Sequence, residues 1–150
     1  MISRSMKFWS KRDYSMGALL WGLPVLSFIL FIPFFFYHNQ SFILYQGQMI
    51  ALLILGGLTT ILFYTWFFTY YLIEQDQLKY KAGFFSGSLD IHTIESIKRS
   101  EYILSGNRPA MSFEGLLIRY GGNRMIFISP ENETEFLEAL QSINSKLTLK

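Results

Sequence analysis

The chain has 150 residues, of which 51% are hydrophobic and only 16% charged, against roughly 25% charged residues in soluble domains. The deficit is local, because no Asp, Glu, Lys or Arg occurs between residues 14 and 73, so the chain reads as a small domain plus a membrane-type block. The absence of cysteine excludes disulfides and thiolate catalysis, and a net charge of +2 without a basic cluster excludes a nucleic-acid surface.

In chain order, residues 1–13 carry Arg4, Lys7, Lys11 and Arg12 against Asp13, and read as a basic cytoplasmic flank. The basic and aromatic run Met6 to Arg12 also suits an anionic leaflet surface. The uncharged block, residues 14–69 in domain terms, is too long for one crossing, since about 20 apolar residues span the roughly 30 Å hydrocarbon core. A polar break at His38–Ser41 divides it into two expected membrane helices, about 16–37 and 47–68, joined by a short outer loop. Pro24 and Pro33 are expected to kink the first helix without stopping it. That segment is too long for a signal peptide's apolar core, and no cleavage site follows. Lys and Arg flank the pair on one side only, which predicts cytoplasmic N- and C-termini in a multi-pass plasma-membrane protein. The spans carry no ionisable group, which argues against a transporter. Gly56, Gly57 and Thr60, with Ala18 and Gly22, place small residues at helical spacing and allow a homo-oligomer.

From residue 70 onward the pattern changes to short strands. "YYLIEQDQLKYKAG" reads as strand, turn, strand, with Leu78, Tyr80 and Ala82 on one face and Lys79 and Lys81 on the other. "FFSGSLDIHTI" and "ESIKRSEYIL" give two more strands. "SGNRPAMS" is a loop, and "GLLIRY" and "RMIFIS" flank a tight "GGN" turn. Phe136, Leu140, Ile143 and Leu147 then recur with helical spacing as one apolar stripe. Pro130 ends the last strand, and Asn132 with Glu135 reads as a capping box at the helix start. This half is expected to be an antiparallel sheet of six or seven strands covered by a C-terminal α-helix.

The series "SFEGLLIRYGGNRMIFISPENETEFLEAL", with Leu116, Ile118 and Tyr120 before the turn and Ile128-Ser129-Pro130 after it, resembles the C-terminal half of the bacterial pleckstrin-homology-like (PH-like) family. "YYLIEQDQLKYKAG" resembles that family's first hairpin. The resemblance implies a bent, barrel-like antiparallel sheet capped by one helix over residues 70–150, below a membrane α-helical hairpin. It supplies no catalytic residues, and it implies scaffolding, envelope or self-immunity roles.

The candidate sites are few. Asp90, His92 and Glu95 are the one conceivable His and carboxylate cluster, too thin for zinc, so no metal, cofactor or catalytic residue is assigned. Nucleophile elbows and phosphate loops are absent from the sequence. Candidate interaction residues are Lys79 and Lys81 on the hairpin, and Arg108 and Met111 in the long loop. The expected function is a non-enzymatic interaction or scaffold domain at the inner face of a bacterial plasma membrane, with the bilayer and a protein as partners. A bacteriocin self-immunity protein and a lipid sensor of the cytoplasmic leaflet are the alternatives.

Overall fold

In the computed structural model, which describes residues 5–36, 42–101 and 107–149, the chain begins with a strand, β1 (Met6–Trp9). The segment "MKFW" alternates, with Phe8 buried and Lys7 and Trp9 exposed, as a half-buried strand requires. Two helices follow, α1 (Tyr14–Phe36) and α2 (Phe42–Phe67). The strands β2 (Thr69–Glu74), β3 (Gln77–Ala82) and β4 (Phe85–Asp90) come next, then a 3-10 turn at Ile91–Thr93. The remaining elements are β5 (Ile94–Glu101), β6 (Glu114–Tyr120), β7 (Arg124–Ile128), α3 (Glu133–Ile143) and β8 (Thr148–Leu149).

The strands form two four-stranded sheets, ordered β1-β2-β3-β4 and β7-β6-β5-β8. This corrects the expected barrel-like sheet of six or seven strands, because the sheet is not closed. The 3-10 turn carries the chain from one sheet to the other between β4 and β5. Among the described residues, an isolated bridge between Ser10 and Pro130 links the β1 side to the β7 side. β1 is a second correction. Residues 6–9 were expected outside the domain, yet Phe8 lies opposite Tyr71 and Trp9 opposite Tyr70 in the first sheet. The hairpin resembling the family's first is therefore β2–β3, the second and third strands of that sheet. Its turn places Gln75 at φ +55°, and Gly121 and Gly122 take positive φ in the β6–β7 turn.

The core lies between the sheets and α3. Phe8, Tyr71, Leu78, Ile91, Ile97, Ile118, Ile128, Phe136 and Leu140 are all buried there. Phe136 meets Phe8 edge-on at 5.2 Å and Tyr71 at 6.1 Å, so the helix is seated against β1 and β2. α3 is shorter than its apolar stripe. It stops at Asn144, whose buried side-chain amide donates to the carbonyls of Ile91 (3.0 Å) and Ile94 (3.3 Å). Leu147 reaches the core from beyond the helix, and β8 then pairs parallel with β5. Gly115 is a close approach: a Cβ there would lie 2.3 Å from the Ile128 carbonyl oxygen. Gly115→Ala is expected to cost about 1–3 kcal/mol by overpacking, whereas Gly56→Ala, with open space around it, should change thermal unfolding little.

The two helices occupy the two expected apolar segments. One stretch, Met49–Phe67, is long and apolar enough to cross a membrane, with mean hydropathy 1.9. The apolar run Tyr14–Ile29 of α1 falls short of that length among the described residues. The outer loop expected between residues 37 and 47 is corrected in part, because residues 42–46 belong to α2, while the polar break at His38–Ser41 lies outside the described residues. α1 and α2 touch near the sheet, where Trp21 packs edge-on to Phe63 at 5.6 Å. Farther along, a groove of about 530 Å³ between them is lined by Pro24, Phe28, Leu52, Leu55 and Gly56.

Candidate functional site

Two regions gather the polar chemistry of the domain. The first is a buried hydroxyl cluster where β1 ends. The Tyr71 hydroxyl donates to the Pro109 carbonyl (2.6 Å), accepts from the Ser129 N–H (3.0 Å) and lies 3.3 Å from the Ser10 hydroxyl. Ser10 Oγ also accepts from the Met111 N–H (3.1 Å) and shares a 3.0 Å hydrogen bond with Ser129 Oγ. Backbone bonds complete the junction: Lys11 N–H donates to Ser129, Glu131 N–H to Trp9, and Asp13 N–H to Met111. Here β1 meets the end of β7 and the loop before β6, and the hydroxyls of Ser10, Tyr71 and Ser129 each have a partner within the cluster. Such a satisfied network locks structure and leaves no open valence for a substrate.

The second is the outer face of the first sheet. Register places Lys7, Leu72, Lys79 and Ser88 in one row, and Trp9, Tyr70, Lys81 and Ser86 in the next. A shallow groove of about 380 Å³ runs among Tyr70, Leu72, Lys79, Lys81, Ser86 and Ser88. The Lys7 ammonium stands 4.0 Å from the Trp9 ring centre and 4.2 Å from that of Tyr70. Lys79 pairs with Glu74 at 2.8 Å in an exposed ion pair, worth little by itself. Lys79 and Lys81 are thus brought together with a third lysine, Lys7, that hairpin reasoning missed. The signal was present in the alternation of "MKFW", which fits a strand as well as a flank.

Arg108 and Met111 do not form the exposed loop surface expected of them. Met111 is buried, and its N–H and carbonyl serve the β1 junction. Arg108 is half-buried, with its guanidinium 5.1 Å from the Phe127 ring and 5.5 Å from Phe113. It donates to the Ser112 carbonyl, and burial lowers its pKa from the usual arginine value. Both residues hold the loop to the domain rather than present it.

The acids also have structural partners. Asp90 caps the 3-10 turn by accepting from the His92 N–H (2.9 Å), and Glu95 accepts from the Gly122 N–H (2.7 Å). Among the described residues no group of His, Asp and Glu is placed to hold a metal ion. The expected capping box is corrected in detail. Asn132 sits at the helix start but its side chain makes no cap hydrogen bond, and its amide instead lies 3.4 Å from the Glu135 carboxylate. Glu133 pairs with Arg99, tying the first turn of α3 to β5.

The family model described as a bacterial PH domain matches residues 69–144, just over half the chain. The match begins at β2 and ends with α3, so β1, α1, α2 and β8 lie outside it. No curated protein and no solved structure matches.

Proposed function

The chain belongs to the bacterial PH domain family, and from that membership we propose that it is a non-enzymatic scaffold held at the inner face of a bacterial plasma membrane. In this reading α1 and α2 cross the bilayer, both chain ends are cytoplasmic, and the outer face of the first sheet receives a protein partner. The observation that carries the reading is where the helices leave the sheet. β1 and β2 are paired neighbours, so the chain departs after Ser10 and returns at Thr69 beside its point of departure. An excursion that starts and ends in one sheet crosses a bilayer an even number of times. The apolar length of Met49–Phe67 supports one crossing, and the uncharged α1 supports the other. Lys7, Lys11 and Arg12 before α1, with Lys79 and Lys81 after α2, support the cytoplasmic side for the domain.

The expected result is a membrane-embedded protein whose tail is inside the cell. It should remain in the pellet after alkaline carbonate extraction. A phosphatase fused after Lys150 should be inactive, and a fluorescent protein at the same place should be bright. Release by carbonate, or an active phosphatase, would sink the topology.

A further inference from the structure

The turn between β3 and β4 points away from its own core. Phe84 is 69% exposed and Phe85 78%, two adjacent aromatic side chains at the tip of a hairpin. The tip lies along the end of α2. The Gly83 N–H donates to the Phe68 carbonyl (3.2 Å), and a Cβ on Gly83 would lie 2.4 Å from Thr65 Oγ1. The Phe84 ring stacks on Tyr64 at 4.6 Å, and Tyr64 stacks on Phe68 at 4.7 Å. Tyr64 and Thr65 belong to the apolar stretch Met49–Phe67. At about 1.5 Å of rise per residue, the tip reaches about 5 Å back along the helix from Phe68. With the bilayer surface at the end of the apolar stretch, that reach falls within the roughly 5–10 Å at which apolar groups sit between headgroups and acyl chains.

The stacked rings Phe68, Tyr64 and Phe84 run from the helix end onto the hairpin, and Phe63 and Phe67 are also exposed on α2. One register step behind the tip the side chains turn basic and polar. Lys81 lies opposite Ser86 and beside Tyr70, with Lys7 in the adjoining row. Arg12 covers Phe67 with its guanidinium 5.1 Å from the ring. Aromatic groups at the apolar boundary with cations just outside it are the pattern of a membrane interface.

We propose that the β3–β4 turn is a third membrane contact, with Phe84 and Phe85 embedded at the bilayer surface and Lys81 and Lys7 facing anionic headgroups. The inference rests on the reading of α2 as a membrane span. Its consequence is orientation: two helices alone leave the domain free to tilt, whereas a third contact holds the β3–β4 end of the first sheet's outer face, with Lys81 and Lys7, against the membrane and leaves the end around Lys79 and Ser88 open to the partner.

The chain has no cysteine, so single-cysteine variants of the full protein give clean probes. Phe85→Cys, Ile54→Cys and Gln77→Cys are labelled with an environment-sensitive nitrobenzoxadiazole dye and reconstituted in phosphatidylcholine vesicles with phosphatidylglycerol. Ile54 reports on the span, and Gln77 marks the far end of β3. The expected result is blue-shifted emission at position 85, quenched by a nitroxide near the headgroup. Position 54 should be quenched by a nitroxide deep in the acyl chain, and position 77 should keep the emission of water. Quenching at 54 with an aqueous signal at 85 overturns the third contact and leaves the span intact. Aqueous signals at both overturn the span and the contact together. Omitting phosphatidylglycerol should reduce quenching at 85, and equal quenching would remove the role given to the lysines.

Discussion

Phe8→Ala is expected to destabilise the PH-like domain by about 3–5 kcal/mol, the usual cost of emptying a buried phenylalanine site. Phe8 precedes the helices in sequence and belongs to the core in space. It is 6% exposed, lies opposite Tyr71 in the sheet and packs edge-on to Phe136 of α3 at 5.2 Å. Truncation leaves a cavity between the first sheet and the helix, lined by rigid neighbours that collapse only in part. Lys7→Ala is the matched control, because Lys7 points outward on the same strand and loses only its exposed contacts with the Trp9 and Tyr70 rings, about 0.5–1 kcal/mol. The measurement is the denaturant midpoint of the full chain in detergent micelles. If both variants unfold at the same midpoint, β1 is not part of the folded domain. A large gap means that the stability of the domain depends on β1, a strand separated from its partner β2 by both helices.

The same strand marks the limit of what could be read from the residues alone. The hairpin at residues 70–83 was legible because its apolar and polar residues alternate on either side of a short polar turn, and β2 and β3 formed there. The strand, GGN turn and strand from residue 114 to 128 were legible for the same reason, with Gly121 and Gly122 at positive φ. "MKFW" has equal alternation in four residues, but it adjoins an uncharged block, and its lysine and tryptophan suit a membrane flank as well as a sheet. Periodicity alone cannot choose between those. The choice is made by pairing with β2, on the far side of both helices.

Side-chain roles in the candidate site were less legible than the elements. Lys79 and Lys81 fall on the outer face that alternation assigned to them. Met111 is buried and Arg108 half-buried, because loop composition reports where the chain turns and not which way its side chains fall. Ser10 carries no pattern, and Ser129 belongs to a motif that gives no hint of its contacts, yet both sit at the buried junction that closes the domain. The position of the helix start is legible and its mechanism is not. Asn132 stands just ahead of α3 and its amide meets Glu135, while Glu133 reaches across to Arg99 in the second sheet. That ion pair is tertiary, and no rule of local spacing predicts it.

Tyr71→Phe, a change of one oxygen atom, is expected to cost at least about 2 kcal/mol, because a buried donor and a buried acceptor each lose a partner at about 1–3 kcal/mol apiece. The donor is the Ser129 N–H and the acceptor the Pro109 carbonyl, both bound to the phenol. The same residue sets a pH signature. Burial raises the Tyr71 pKa above its ordinary value, a push only partly opposed by its hydrogen bonds with Ser10 and Ser129 and by the charge of Arg108. The unfolded phenol ionises near pH 10, while the folded one keeps its proton. Above that pH the unfolded chain therefore binds fewer protons than the native one, and stability falls as pH rises. The contribution is complete below about pH 10 and is lost progressively as pH climbs toward the raised native value. Tyr71→Phe should unfold at lower denaturant concentration at neutral pH and lose less further stability between neutral and strongly alkaline conditions than the parent chain. Parallel losses in the two proteins would show that the Tyr71 proton is not held by the fold, and a neutral-pH midpoint unchanged by the substitution would remove the hydroxyl cluster from the interactions that join β1 to the rest of the domain.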